Sequence, residues 1–176
     1  MAGLSITIEL GGDLKDGLAR LRAAGTDLTP AMQDIAVYLA ASTRRRFESE
    51  TGPDGKRWSP SRRVREEGGQ TLTLSGDLRG SIRPAWGPDF AAAGPERSGG
   101  AGVYAAIHQF GGAIRPKNKR ALSFGGRVVA AVRMPARPYL GFSDADRTEI
   151  VARLRDHLAA AIVGQLARGS AQGAGA

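Results

Sequence analysis

Two segments of this 176-residue chain keep apolar residues at helical spacing over several turns. The first starts at Thr29, a favourable N-cap residue, continues with Pro30, which suits the first helical position, and extends to about Ser49. The second starts at Ser143, where Asp146 three residues later forms an arrangement similar to a capping box. Because 25 glycines and 9 prolines interrupt most of the remaining sequence, the other elements are expected to be short.

The shorter elements follow from alternating patterns and turn residues. Residues 4–10 alternate apolar and polar side chains, which predicts a half-buried strand, and a short leucine-bearing helix is expected to follow. A second short helix is expected over residues 103–110. Four further segments predict two antiparallel hairpins, 82–86 with 90–93 and 121–124 with 127–134.

These elements predict an α+β fold, in which a small antiparallel sheet packs with a long central helix and a C-terminal helix. Two basic connections, residues 56–69 and 114–120, contain few apolar side chains and are expected to be long surface loops. The chain is expected to form one domain over residues 1–167. Residues 168–176, which are mostly Gly, Ala, Ser and Gln, are expected to form a flexible tail.

The formal net charge of +8 comes from the middle of the chain. Residues 44–137 contain 18 basic and 8 acidic residues, residues 1–43 contain 3 and 5, and residues 138–176 contain 4 of each. Of the 25 basic residues, 21 are Arg, whose planar guanidinium pairs well with carboxylate and phosphate groups. The partners of the basic region are therefore expected to be acidic proteins or nucleic acid.

The sequence also excludes several kinds of protein. The chain has no cysteine, which excludes disulfides, thiol nucleophiles and cysteine-bound metals. Its first residues do not follow the pattern of a signal peptide, and no window approaches the roughly 18 apolar residues of a membrane span. We therefore expect a protein that is made in the cytosol and has no membrane partner.

No group of residues has the spacing of a catalytic, metal or cofactor site. His157 lies on the last predicted helix without a second ligand on its face, and no glycine pair matches a phosphate-binding loop. His108 shares a helical face with Tyr104, which fits a packing or interface histidine, with a general base as the alternative. We predict a protein that is not an enzyme and has no catalytic residues, no metal and no cofactor.

The basic stretches leave two classes of function open. Their arginines and lysines can follow the phosphates of a nucleic acid, which would make the chain a cytosolic DNA- or RNA-binding domain. Aromatic residues account for only 6% of the chain, however, and no base-reading motif is present. The same stretches therefore also fit a charged surface that pairs with acidic proteins.

Four segments occur in order along the chain: 52–58 (GPDGKRW), 74–82 (LSGDLRGSI), 103–112 (VYAAIHQFGG) and 134–142 (MPARPYLGF). Together they resemble the phage virion morphogenesis, or tail-completion, family found in Mu-like prophages. Their order and approximate spacing match that family over about residues 29–166. The chain departs from the family pattern in its Ala- and Arg-rich loops and in the glycine-rich stretch 96–102.

This resemblance implies a structural virion protein without catalysis. Such proteins form rings, often of six copies, at the head–tail junction or the tail terminus, where they serve head–tail joining and tail completion. The implied partners are other copies of the chain, portal, adaptor or stopper proteins, and the tail tube protein. DNA is implied only as cargo passing through the ring, and the implied location is the virion, assembled in the host cytoplasm.

The interface with other subunits or partners is expected to come from the basic loops and the aromatic segments. Trp58 is predicted to anchor a loop or interface rather than the core, because its sequence neighbours are polar. Residues 107–110 and 135–142 are predicted to pack near each other. Most of the arginines in the basic stretches 44–46, 62–65 and 115–120 are predicted to face neighbouring proteins. The predicted interface residues are Trp58, Arg62, Arg63, Arg65, Tyr104, His108, Phe110, Arg115, Lys117, Lys119, Arg120 and Arg137.

Overall fold

The computed structural model of the chain describes residues 6–7, 27–96, 101–116, 120–124 and 126–173. The predicted N-terminal strand is described only at residues 6–7, and the predicted leucine-bearing helix that follows lies outside the described residues. The described part of the chain combines helices with small antiparallel sheets, so the α+β class is confirmed.

The described residues form two compact units of different charge. The first, here called the arginine-rich unit, consists of the described parts of Thr43–Arg83 and Gly94–Gly141 and carries 15 basic and 7 acidic residues. The second, here called the acidic unit, consists of the described parts of Ile6–Ser42, Pro84–Ala93 and Phe142–Ala176 and carries 4 basic and 7 acidic residues.

Helix α1 covers Thr29–Ser49, in agreement with the sequence prediction. Its start differs in one detail. The Asp27 carboxylate accepts a hydrogen bond of 2.9 Å from the Thr29 backbone N–H, so Asp27 supplies the capping side chain predicted for Thr29. This hydrogen bond lowers the pKa of Asp27.

The acidic unit contains strands of a three-stranded antiparallel sheet in the order β1, β3, β2. Strand β2 is Ile82–Trp86 and strand β3 is Ala91–Pro95, so the first predicted hairpin is confirmed. Strand β1, Ile6–Thr7, pairs with β3 and places Ile6 opposite Ala93. Of β2 and β3, residues 84–86 and 91–93 belong to this unit.

The apolar stripe predicted for the C-terminal helix packs in the core of the acidic unit. Ile150 and Leu154 are 6% and 4% exposed, and together with Met32 and Ile35 of α1 they surround a small gap. These side chains recur at spacings of three or four residues, which puts them on one face of each helix. The core of this unit is therefore made by the two helices that the sequence pattern identifies most clearly.

This second helix covers Asp144–Gly173 and is numbered α5. Its backbone stays helical over residues 168–173, beyond the point where the tail is predicted to begin. The division of the chain at residue 167 remains a prediction. Within the described ranges, no helix is long and apolar enough to cross a membrane.

Asp146 joins the two helices of the acidic unit. Its carboxylate accepts hydrogen bonds from the backbone N–H and the hydroxyl of Ser143, at 2.8 and 2.7 Å, and the Asp146 N–H donates to the Ser143 hydroxyl at 3.1 Å. The predicted capping box is thus confirmed. From α1, the hydroxyls of Tyr38 and Ser42 donate to the same carboxylate at 3.1 and 2.5 Å. Because Asp146 is only 1% exposed, this cap is also a buried link between the helices.

The arginine-rich unit is built from shorter helices. Helix α2 covers Arg62–Glu67, within the stretch that the sequence describes as a loop, and the Ser61 hydroxyl caps it by accepting a hydrogen bond of 3.3 Å from the Val64 N–H. Helix α3 covers Asp77–Gly80, and helix α4 covers Ala101–Phe110. Helix α4 corresponds to the short helix predicted over residues 103–110.

Two small sheets complete the arginine-rich unit. Strand β5, Leu122–Phe124, pairs with β6, Arg127–Val129, which confirms the second predicted hairpin. The segment 127–134 is not one strand, however. Its second half forms β7, Val132–Met134, which pairs instead with β4, Gly112–Ile114, directly after α4.

Three aromatic side chains form the core of the arginine-rich unit. Phe47 and Tyr139 are fully buried and Trp58 is 5% exposed. The ring centroid of Phe47 lies 5.5 Å from that of Trp58, edge to face, and 5.3 Å from that of Tyr139. The expectation that Trp58 lies outside the core is therefore wrong, because its packing partners come from distant parts of the sequence.

We predict that Asp146→Ala lowers the free energy of unfolding by about 3 kcal/mol, because it removes the acceptor of the buried Ser42 hydroxyl, the half-buried Tyr38 hydroxyl and the Ser143 N–H. Urea denaturation followed by circular dichroism measures the change. The control is Asp144→Ala, which changes an exposed residue in the same helical turn and should cost less than about 1 kcal/mol. Equal losses in the two variants would contradict the central role of Asp146.

We predict that Trp58→Ala lowers the free energy of unfolding by about 3–5 kcal/mol, since it removes the largest side chain of the aromatic core. Guanidinium denaturation with circular dichroism detection tests this. Trp86→Ala is the matched control, because Trp86 is 39% exposed and its loss should cost clearly less. A Trp58→Ala chain as stable as the parent would restore the view of Trp58 as a loop anchor.

Candidate functional site

Segment 138–141 runs through the arginine-rich unit without regular secondary structure, yet side chains bind its backbone at every residue. The Trp58 indole N–H donates to the Pro138 carbonyl at 2.9 Å, and the Arg46 guanidinium donates to the carbonyls of Tyr139 and Gly141, both at 2.9 Å. A buried irregular backbone requires such partners, because an unpaired buried peptide group is costly. Side chains distant in sequence thus replace the strand partner that this segment lacks.

Gln109 of α4 supplies the remaining hydrogen bonds of segment 138–141. Its side-chain oxygen accepts from the backbone N–H groups of Tyr139 and Leu140, each at 3.0 Å, and its side-chain nitrogen donates to the Leu140 carbonyl at 3.0 Å. The Tyr139 hydroxyl donates in turn to the Ala105 carbonyl at 3.2 Å, and burial raises the pKa of Tyr139. Gln109 is not among the residues that the sequence predicts for the interface, although it directly follows His108.

These contacts confirm that segment 107–110 packs against the part of segment 135–142 that lies in the arginine-rich unit. The aromatic side chains do not all take part. Tyr139 is in the core, but the Phe110 side chain is 68% exposed, and Phe142 belongs to the acidic unit. The two segments are joined by the hydrogen bonds of the Gln109 side chain and by the bond from the Arg137 N–H to the His108 carbonyl.

Two glycines allow the close approach of chain segments here. A Cβ on Gly111 would lie 2.7 Å from the Ala136 nitrogen, and Gly111 has φ of +69°. A Cβ on Gly141, where φ is +147°, would lie 2.6 Å from the Pro53 ring. Any larger residue at either position would have to push a neighbouring segment away.

The arginines at the end of α1 do not form the outward-facing group that the sequence suggests. Arg46 is 7% exposed and donates to segment 138–141, and the Arg44 guanidinium donates to the Ile82 carbonyl at 2.5 Å. Arg45 is exposed. Arg46 is therefore an exception to the expectation that most of these arginines face neighbouring proteins, because backbone carbonyls of its own unit hold its guanidinium.

A cleft of about 620 Å³ opens on the arginine-rich unit between residues 59–67, which include α2, and residues 132–137, which include β7. Arg62, Arg63 and Arg65, all predicted interface residues, line one side of it, and Arg137 lines the other. Arg133, which is not among the predicted interface residues, also lines the cleft. Glu66 and Glu67 also line the cleft, so five guanidinium groups and two carboxylates meet there.

Some of these charges are already engaged. Arg62 pairs with Glu66 at 2.7 Å one helical turn away, and Arg63 donates to the carbonyls of Gly68 and Gln70 at 3.2 and 2.7 Å. Arg65 and Arg133, by contrast, make no ion pair with any residue in the described ranges. Positive charge is therefore in excess along the cleft.

Arg137 is the most buried of the charged residues in the cleft. Its side chain is 2% exposed and its Nε–H donates to the Ser59 carbonyl at 2.7 Å, but its Nη1 group has no hydrogen-bond partner among the described residues. Burial and the nearby Arg65 both lower the pKa of Arg137, yet a guanidinium remains charged at neutral pH. An unpartnered donor on a buried charge is unusual in a folded protein.

His108 lies next to this arginine. The Arg137 backbone N–H donates to the His108 carbonyl at 2.7 Å, and the imidazole contacts the Tyr104 ring edge to face, with centroids 5.8 Å apart. Its Nδ1 atom is buried and has no hydrogen-bond partner in the described part of the chain. Burial, and secondarily Arg137, lower the pKa of His108, so the imidazole is neutral at pH 7.

The structure thus brings some predicted interface residues together and leaves others apart. Trp58, His108 and Arg137 are linked through the 137–141 backbone, and Arg62, Arg63 and Arg65 share the cleft with Arg137. Phe110, Arg115 and Arg120 are exposed outside the cleft. Lys117 and Lys119 lie outside the described residues. Participation of any of these residues in an interface remains a prediction.

The described residues contain no group of three or more His, Cys, Asp and Glu side chains that could hold a metal ion. The charged groups that line the cleft are mainly guanidinium donors. Such an arrangement suits recognition of an anionic group.

Comparison with known proteins identifies the protein family of this chain. The phage virion morphogenesis family matches residues 11–159. Protein G of Escherichia phage Mu, whose name refers to capsid assembly, is 35% identical over 141 residues, which cover 73% of this chain and 78% of that protein. The Mu-like prophage FluMu G protein 2 of Haemophilus influenzae is 29% identical over 154 residues, which cover 88% and 95%. No solved structure matches the chain.

The chain is thus a protein of phage particle assembly. It belongs to the phage virion morphogenesis family, as the four ordered sequence segments indicate.

We predict that the free energy of unfolding decreases as the pH falls from 7.5 to 5. The His108 pKa is lower in the folded chain than its ordinary value of about 6.5, so the unfolded chain binds more protons in this range and acid favours unfolding. Urea denaturation at several pH values measures the slope.

His108→Gln should remove most of this dependence, whereas His157→Gln, which alters the other histidine, should keep it. A slope that does not change in His108→Gln would show that other groups cause the acid sensitivity.

Proposed function

We propose that the chain is a structural protein of the tailed-phage neck, which forms a homo-oligomeric ring, most simply a hexamer, at the head–tail junction or tail terminus. In this proposal the ring is required to join heads to tails or to complete the tail. Its neighbours are portal, adaptor or stopper proteins on one side and the tail tube protein on the other. DNA passes through the ring as cargo, and the protein acts without catalysis.

The observation that carries the proposal is the match to the virion morphogenesis family over residues 11–159. The names of the two relatives refer to capsid assembly and to a Mu-like prophage, which supports an assembly role in a tailed particle. A position where head and tail meet is compatible with both the family description and the capsid-assembly name.

The use of the arginines also favours a protein-binding role over nucleic-acid binding. Arg46 and Arg63 donate to backbone carbonyls of their own unit, and Arg62 is paired with Glu66. Each of these guanidinium groups is thereby less available for phosphates, on which most nonspecific DNA affinity depends. A ring that lets DNA pass has to avoid holding it tightly.

The proposal predicts the phenotype of a particle-producing strain that lacks the gene for this chain. Heads filled with DNA and separate tails should both accumulate, and joined particles should be lost by at least a hundredfold, because neither half supplies the missing ring. Negative-stain microscopy of gradient fractions counts the three species. Expression of the intact chain from a plasmid is the control and should restore joined particles.

The same experiment distinguishes the alternatives. Loss of heads altogether would indicate a role in capsid assembly and contradict the neck proposal, and so would normal tailed particles. A reconstruction of the wild-type particle should show the chain as a ring between head and tail. Normal particle yield combined with tight, sequence-selective DNA binding by the purified chain would favour the nucleic-acid-binding alternative.

A further inference from the structure

The arginine-rich cleft contains a recessed guanidinium group that can bind one carboxylate. Arg137 lines the cleft, is 2% exposed, and has an Nη1 group without a partner among the described residues. Its Nε–H is held by the Ser59 carbonyl, which fixes the orientation of the guanidinium. A guanidinium held in one orientation is preorganised to bind a carboxylate through parallel hydrogen bonds.

The surrounding charges reinforce this chemistry. Arg65 and Arg133 line the same cleft and make no ion pair with the described residues, so their charge is available to an incoming anion. Glu67 opposes the anion in part, and Glu66 is neutralised by Arg62. Arg65 is exposed, so its side chain can move on the nanosecond timescale and admit a ligand to the more deeply placed Arg137.

Burial of Arg137 favours a protein carboxylate over the phosphates of DNA. Duplex DNA gains affinity when many exposed cationic groups follow its backbone at once. A nearly inaccessible guanidinium inside a cleft cannot be reached by a duplex backbone, whereas a protruding Asp or Glu side chain fits such a recess. The geometry therefore favours an acidic side chain of a protein over a duplex backbone.

The acidic segment is expected to come from a different protein. In the acidic unit of this chain, most described carboxylates are already engaged. Asp34 and Glu149 both bind Arg153, at 2.6 and 2.9 Å, and Asp146 is buried in its cap. Asp156 lies 3.5 Å from Arg155, and Asp27 binds the Thr29 N–H. The described carboxylates of the acidic unit therefore leave few free acidic groups that this unit of a second copy could offer.

We propose that the cleft between residues 59–67 and 132–137 binds an acidic segment of a partner protein. Arg137 binds one carboxylate of that segment, while Arg65 and Arg133 attract the adjacent carboxylates of the same segment. This inference goes beyond the neck assignment and does not depend on where in the particle the chain is found. It specifies that one contact of this chain with a partner protein joins guanidinium groups to carboxylates.

The test uses the purified full chain and a peptide of six glutamates with blocked ends. Trp86→Phe leaves Trp58 as the only tryptophan, and Trp58 directly precedes Ser59, the residue that holds Arg137. Its fluorescence, supported by isothermal titration calorimetry, should report binding of hexaglutamate and none of hexaglutamine. In this background, Arg137→Gln should weaken hexaglutamate binding at least tenfold.

Because Arg137 is buried, its replacement can also disturb folding, so a second variant is needed. Arg65→Gln combined with Arg133→Gln changes two unpaired cleft residues and should weaken binding at least fivefold, with an unchanged circular dichroism spectrum. The matched control is Arg115→Gln combined with Arg120→Gln, which removes the same charge at exposed positions outside the cleft and should change binding less than twofold.

Three results would overturn the proposal. The first is the absence of hexaglutamate binding, or binding that all variants retain. The second is a 20-base-pair DNA duplex that binds more tightly than hexaglutamate at the same salt concentration and loses affinity in the Arg65 and Arg133 double variant. The third is self-association of the chain that hexaglutamate dissociates and Arg137→Gln abolishes, since a second copy would then be the partner.

Discussion

The arginine-rich unit depends on the hydrogen bonds that hold segment 138–141. This segment has no strand partner. Its carbonyls accept hydrogen bonds from Arg46 at the end of α1, from Trp58 in an irregular segment, and from Gln109 of α4. Each of these side chains must be in place for the others to pack, because a buried backbone group without a partner destabilises the fold. The segment therefore couples local elements that would otherwise make few contacts.

This arrangement gives a physical meaning to the segments on which the family resemblance rests. Segment 52–58 contributes Trp58, segment 103–112 contributes Gln109, and segment 134–142 contains the backbone that both side chains bind. Segment 74–82 contributes Leu78 and Ile82, which are 2% and 0% exposed. The motifs of this chain thus encode the core of one unit, and its candidate binding cleft lies beside them.

Much of the fold could be predicted from local sequence. Helix α1, the capping box at Ser143 and Asp146, and both hairpins follow from periodicity, capping residues and glycine turns, which act between residues close in the chain. Predictions that depended on distant neighbours were less successful. Trp58 has polar neighbours in sequence, but Phe47 and the Pro138 carbonyl surround it in space.

The candidate site shows the same division. The sequence determined the family, the two main helices and the concentration of arginine in the middle of the chain, since each can be read from the order and spacing of residues. Only the tertiary structure decided which arginines are structural and which remain available. Arg46 is held by backbone carbonyls, whereas Arg137 keeps an unpartnered nitrogen in a cleft, and Arg133 joins it there. The physical reason is that a guanidinium takes its role from the groups within hydrogen-bond reach, and folding brings those groups from distant parts of the chain.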